Sequence, residues 1–244
     1  LAGGAGFSNT TWRIPTSLGF STYTVQDAAN TTYNLTFTNR SALTKIVRSG
    51  VNATFNVSIT NGENLTRVYN LTLYLVNSTG ETGGASARIN GTTMMQVNIT
   101  NGTTYQNVLI DVNGTVGGVY TVTILATLYN NASIILNSTG SDDMGVLTTI
   151  IDATAPSITL NTGNNTWTSN NQSALNFTVT DAYSSNENCS LYIDNAPFNL
   201  SLMTTNNTAT IITPNATLTE TAHTWYVNCT DDYNNIGAST PRIL

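Results

Sequence analysis

The sequence predicts an all-β protein: two β-sandwiches in tandem behind an extended N-terminal arm. Three observations predict it. Apolar and polar residues alternate with a period of two through most of the chain, the pattern of half-buried strands. Asn-Gly and Gly-Gly dipeptides separate those runs, and their glycines tolerate the positive φ of tight turns. The segment Asp152-Ala-Thr-Ala-Pro156 then breaks the pattern. Its proline, just ahead of Ile158-Thr-Leu160, fits a short link followed by an edge strand. No window carries helical periodicity. The expected divisions are an arm over 1–18, a first sandwich over 19–152 and a second over 153–244.

Composition narrows the function. A chain of 244 residues, 40% of them hydrophobic, is long enough to bury a core in each sandwich. Charged residues are only 8%, and the net charge of −6 reflects seven Lys and Arg in all, with Lys45 the only lysine. Nucleic acid needs clustered basic residues to displace counterions, so it is excluded as a partner. No run of some 18 apolar residues exists to span a membrane as a helix. The chain opens Leu1-Ala-Gly-Gly-Ala-Gly without methionine, which is expected of a mature end left by signal-peptide removal. A type IV pilin would carry a long apolar helix there.

In order, the arm offers Phe7, Trp12 and Ile14 as anchors, expected either in a frayed terminus or in a strand that pairs with another subunit's sheet edge. Strands are expected through Tyr33–Asn39, Val51–Ile59, Tyr69–Leu75, Met95–Ile99, Val108–Val112, Val119–Tyr129, Ser133–Asn137 and Gly145–Ile151. Asn61-Gly, Gly83-Gly, Asn90-Gly, Asn101-Gly and Asn113-Gly are the expected turns between them. After the break, strands are expected near 157–160, 174–180, 189–194, 198–203, 208–213, 224–230 and, short, 239–244. Seven strands in this length is the count of an immunoglobulin-like sandwich.

The second unit also resembles the immunoglobulin-like repeats of archaeal surface proteins. Thr154-Ala-Pro-Ser-Ile-Thr-Leu, Ala174-Leu-Asn-Phe-Thr-Val-Thr-Asp181, Asn188-Cys-Ser-Leu-Tyr-Ile-Asp194 and Thr224-Trp-Tyr-Val-Asn-Cys-Thr-Asp231 carry the likeness. The first unit resembles that class by pattern alone. Such repeats usually run on through a full last strand, whereas here Thr240-Pro-Arg-Ile-Leu244 is short, so an incompletely paired edge is expected. The resemblance implies a subunit of an extracellular thread or pilus-like filament. In such filaments the N-terminal strand of one subunit completes a sandwich of the next, a head-to-tail homopolymer of copies of the same chain.

Cys189 is in phase with Leu191 and Ile193, and Cys229 with Val227 and Trp225, so both face a core. They lie on the third and sixth strands of the second unit, neighbours in one sheet, where a cross-strand bridge is expected; free buried thiols are the alternative. No CxxC suggests redox work.

The strongest signal is the Asn-x-Ser/Thr sequon. It occurs at Asn9, Asn30, Asn34, Asn39, Asn52, Asn56, Asn64, Asn70, Asn77, Asn90, Asn98 and Asn101, and again at Asn113, Asn131, Asn137, Asn164, Asn171, Asn176, Asn188, Asn199, Asn206, Asn215 and Asn228. A chain rich in Asn and Thr yields many by chance, so strand phase is the better test. Asn34, Asn52, Asn56, Asn70, Asn98, Asn176, Asn188 and Asn228 take outward phases. Covalent N-glycans there would supply the hydration that missing charges do not.

Chemistry is otherwise thin. His223 is the only histidine and is read as surface. Asp142-Asp143 and Asp231-Asp232 lack the spacing of a calcium loop and are read as turn acids, so no metal ligand is assigned. Asp181, Glu187 and Asp194 are acids of the glycosidase kind that nothing in the sequence brings together. No cofactor and no enzymatic activity are expected. The expected function is a structural subunit of a heavily glycosylated extracellular filament. The alternatives are a surface-layer component or a carbohydrate-binding adhesin module, for which Tyr74, Tyr192 and Tyr226 are outward aromatics.

Overall fold

A computed structural model describes residues 35–39, 42–62, 65–80, 83–136, 146–165 and 170–244. Phe7, Trp12 and Ile14, the sequons at Asn9, Asn30, Asn34, Asn64 and Asn137, and Asp142-Asp143 lie outside them. The described chain is all β and divides into two compact units, Leu1–Ile151 and Asp152–Leu244.

In the first unit, β1 (Leu35–Asn39), β3 (Ala53–Asn61), β7 (Thr104–Gly114) and β5 (Ala85–Ile89) form one sheet in the order β1-β3-β7-β5. The other sheet runs β2 (Thr44–Arg48), β10 (Val146–Asp152), β8 (Gly118–Leu128), β4 (Arg67–Asn77), β6 (Met94–Ile99), with β9 (Asn131–Leu136) also on β8. Alternation sends Phe55, Val57 and Ile59 from one sheet and Tyr69, Leu71, Val122 and Ile124 from the other into a shared core. At a β-bulge between Val57 and Ile59 the alternation slips, and Ser58 turns inward.

Strands β2 and β5 are additional to the expected set. Both are sheet edges; β5 buries only Ile89 and β2 buries nothing fully, so neither writes a clear alternation. Lys45 on β2 reaches the Thr54 carbonyl and lies over the Phe55 ring, 5.4 Å from its centroid. Asn113-Gly114, expected as a turn, ends strand β7 instead. A Cβ on Gly114 would sit 2.5 Å from the Gly84 carbonyl and 2.8 Å from Ile151, so that glycine answers to packing. Asn61 is likewise a buried strand residue; its amide holds the Leu65 and Ile99 carbonyls, both at 2.9 Å.

The second unit packs a sheet of β11 (Ser157–Leu160), β12 (Leu175–Thr180) and β15 (Ala209–Ile212), ordered β11-β12-β15, on one ordered β14-β13-β16-β17. The latter comprises β14 (Ala196–Thr205), β13 (Asn186–Ile193), β16 (Thr224–Thr230) and β17 (Ile236–Ala238), with β18 (Arg242–Ile243) also on β16. This is the strand division of an immunoglobulin- or fibronectin-like sandwich. Trp225, Phe177, Leu191 and Val227 fill its core. The last strand is short and split, yet its pieces follow β16 in turn: β18 takes Thr224 and Trp225, and β17 takes Asn228 to Thr230. Between them Ser239 bonds Val227, its backbone N–H on the carbonyl at 2.9 Å and its Oγ accepting the N–H at 3.0 Å. The expected unpaired edge on this strand is therefore closed by the chain's own C-terminal residues.

Candidate functional site

Cys189 and Cys229 are directly opposite in the β13–β16 register, with Cα atoms 4.1 Å apart, and are joined by an S–S bond. The bridge is cross-strand, within one sheet, and both residues belong to the core. On the outer face of the same two strands Tyr192 and Tyr226 stack with centroids 5.1 Å apart. Their ring faces cover each other, as in a stabilising cross-strand pair.

Every sequon asparagine whose side chain is described is exposed or half-exposed, from Asn52 to Asn228. The hydrogen bonds divide them. A glycan replaces one of the two amide hydrogens. Asn206 donates both, to the Asp181 carbonyl at 2.7 Å and the Ser184 carbonyl at 2.8 Å. The Asn113 amide nitrogen likewise bonds the Gly50 carbonyl at 3.0 Å and Asn52 Oδ1 at 2.7 Å. Asn52, Asn98, Asn171, Asn188 and Asn215 are open to solvent.

His223 is more enclosed than a surface residue. Its Nδ1 lies 2.6 Å from Asp194 Oδ2, and its Nε2 3.1 Å from the Thr219 carbonyl and 3.2 Å from Thr219 Oγ1. Acceptors on both nitrogens favour the imidazolium, and Asp194 foremost raises the His223 pKa. Asp194 also accepts the Thr224 N–H at 2.8 Å, which ties the β13–β14 turn to the start of β16. The row is a clamp.

The acidic residues fall into an arrangement that sequence reading missed. Asp152, the last residue of β10, opens the second unit, Asp181 follows β12 and Asp231 follows β16, so three separate points of the second unit's chain deliver three carboxylates. One oxygen from each lies within 4.8 Å of the others. Each aspartate folds its own loop with Oδ1: Asp152 accepts the Thr154 N–H (3.0 Å), Asp181 those of Tyr183 and Ser184 (2.8 and 2.9 Å), and Asp231 those of Tyr233 and Asn235 (both 2.8 Å). Asn235 Nδ2 also donates to Asp231 Oδ2 at 2.9 Å. The Oδ2 atoms of Asp152 and Asp181 are buried and accept no hydrogen bond.

The surrounding loops are fastened together. The Asp232 N–H meets Ser184 Oγ at 2.6 Å and the Ser185 N–H meets Asp232 Oδ2 at 3.1 Å. Gly237 packs so closely on the Pro156 carbonyl that no side chain fits between them, which fixes the segment leading from Asp152. Desolvation raises the Asp152 pKa and the charges of Asp181 and Asp231 raise it further, against the opposing pull of the Thr154 N–H and the Asn235 side chain. Glu187, fully buried on the inner face of β13, is pushed up to about 7, chiefly by desolvation and then by Asp181 and Asp232. Its Oε1 has no partner. Of the three acids weighed as a glycosidase pair, Asp181 thus acts on Glu187 through its charge while Asp194 serves the His223 clamp.

No family model matches the chain, and no curated protein is similar to it in sequence. Among solved structures it is similar to the fibronectin(III)-like modules of Clostridium thermocellum CbhA, at 16% identity over 85% of this chain and 90% of that one, with a TM-score of 0.32. It is also similar to a chain from the Salmonella enterica SafA pilin in complex with the SafB chaperone, at 13% identity over 87% and 96%, with a TM-score of 0.30. Scores this low transfer no property of those proteins. The fold assignment rests on strand order and register.

Proposed function

We propose that the chain is a structural subunit of a heavily N-glycosylated extracellular filament, of the archaeal thread or pilus-like kind its second unit resembles, and that it performs no catalysis. The observation that carries this reading is the placement of the sequons. Wherever the asparagine side chain is described it meets solvent, on a scaffold poor in charge and closed by a disulfide of the kind that persists in oxidising compartments. No helix among the described residues is long and apolar enough to cross a membrane.

In this proposal residues 1–18 leave their own subunit and add a strand to the next, anchored by Phe7, Trp12 and Ile14. In the second unit β17 and β18 already occupy the outer side of β16, so the first unit is the better acceptor. There β1 pairs with Val57–Asn61 of β3, and on that side Ala53–Asn56 pairs with no described strand. A carbohydrate-binding adhesin is the second reading, favoured by the exposed ring of Tyr74. Saturable binding by deglycosylated protein on a glycan array would select it.

Glycopeptide mass spectrometry of protein from its native source tests the coat. Occupancy is expected at many open asparagines, Asn52, Asn98 and Asn188 among them, and is expected to be missing at Asn113 and Asn206, whose amides are already engaged. Protein bare of sugar throughout would overturn the proposal.

A further inference from the structure

Three like charges do not converge in a protein interior without something to balance them. At Asp152, Asp181 and Asp231 one oxygen of each carboxylate lies within 4.8 Å of the others. Asp152 is fully buried with its Oδ2 unpartnered, and the Oδ2 of Asp181, in the same group of carboxylates, is also buried and unpartnered. A buried carboxylate oxygen with no donor is costly to maintain. Two carboxylates of one cluster that each keep such an oxygen point to a ligand that accepts electron pairs. Among the described residues no cation balances it: the charges acting on Asp152 are those of Asp181 and Asp231, offset only in part by the neutral Thr154 N–H and Asn235 amide.

We infer that the Asp152–Asp181–Asp231 cluster of the second unit binds a hard divalent cation, Ca²⁺ in preference to Mg²⁺. The chemistry favours a hard ion because every side-chain ligand is a carboxylate oxygen. Calcium is favoured because its larger, flexible shell accepts carboxylates from three separate loops spread over this distance, whereas Mg²⁺ demands a tight octahedron. One oxygen of each aspartate is held by backbone N–H groups of its own loop, so the carboxylates are oriented before the ion arrives. Asn206 contributes as a positioning residue: its Oδ1 accepts the Asp181 N–H at 2.9 Å while its amide holds the Asp181 and Ser184 carbonyls. The bound ion would fasten Asp152, where the second unit opens, to the loops that follow β12 and β16.

The test is calorimetric melting of the full chain at pH 7, stripped with EDTA and then titrated with CaCl₂ or MgCl₂. Calcium is expected to raise the second unit's melting temperature saturably, by about 5 °C or more, with a smaller shift for magnesium. Asp152→Asn, which keeps the shape and the Oδ1 acceptor, is expected to lose the calcium shift while melting no lower than wild type in EDTA, since one of three repelling charges is gone. If Asp152→Asn fails to fold, Asp181→Asn and terbium luminescence of the wild-type chain decide the matter. Terbium emission displaced by calcium supports the site. No calcium shift in wild type, an equal shift in the variant, or terbium emission indifferent to calcium would overturn it.

Discussion

The first unit closes its sheets over an apolar core that runs from Leu35 to Leu147, and it contains neither cysteine. The second covers a smaller set of buried side chains and adds the Cys189–Cys229 bridge and three converging carboxylates. The difference follows from size. A smaller sandwich removes a smaller fraction of its surface from water, so its margin over chain entropy is thinner and covalent or ionic staples contribute more. Both units keep a polar, weakly charged exterior; what differs is how each is held from within.

The sharpest way to break this comparison is to remove each unit's own support. Phe55→Ala is expected to cost the first unit about 3–5 kcal/mol through the cavity it leaves, and to spare the second unit. The double variant Cys189→Ala/Cys229→Ala opens a loop with a sequence separation of 40 and is expected to cost the second unit about 4 kcal/mol. Two resolved calorimetric transitions would report both. A fall in the first unit's transition on removing the cysteines would refute the division of labour.

Glu187 gives the next largest effect, with the opposite sign. Its folded-state pKa of about 7 stands above the ordinary 4.5, so between those values the folded state keeps a proton that the unfolded chain has released. In EDTA the second unit should therefore lose stability as pH rises from about 4.5 to 7 and level off above that. Glu187→Gln is expected to flatten this slope and to gain on the order of 2 kcal/mol at pH 8. A wild-type protein already flat across that window would contradict the assignment.

The His223–Asp194 clamp gives the smallest. The raised His223 pKa contributes stability below its ordinary 6.5 and loses it as pH climbs through the folded value. The lowered Asp194 pKa contributes above 3.8 and loses it as pH falls through its folded value. The pair is thus at full strength between about 3.8 and 6.5. Asp194's side chain is 51% exposed, so screening keeps the contribution below about 1 kcal/mol. His223→Gln should lower the second unit's melting temperature slightly at pH 5.5 and leave it unchanged at pH 9.

Much of this architecture was legible as alternation. Phe55, Val57, Ile59 and Trp225, Val227, Cys229 read as inward faces, and they are buried. Edges read poorly. Strand β5 has one buried residue to write a pattern with, and Gly114 looked like a turn because close packing and tight turning select the same residue. The acidic cluster was illegible for a different reason. Asp152, Asp181 and Asp231 are far apart in the chain and adjoin strands of three different sheets, so only the folded chain brings them to one place. A faint signal existed: each stands at a strand's end, where a lone aspartate serves equally well as a turn former. Likewise the amides of Asn113 and Asn206 carry ordinary sequons, and their engagement is visible only through partners distant in sequence.

The most direct test of the filament reading is negative-stain electron microscopy of the full chain beside a variant that starts at Gly19. The account predicts long fibres from the full chain and separate particles from the shortened one. Fibres from both, or from neither, would contradict it.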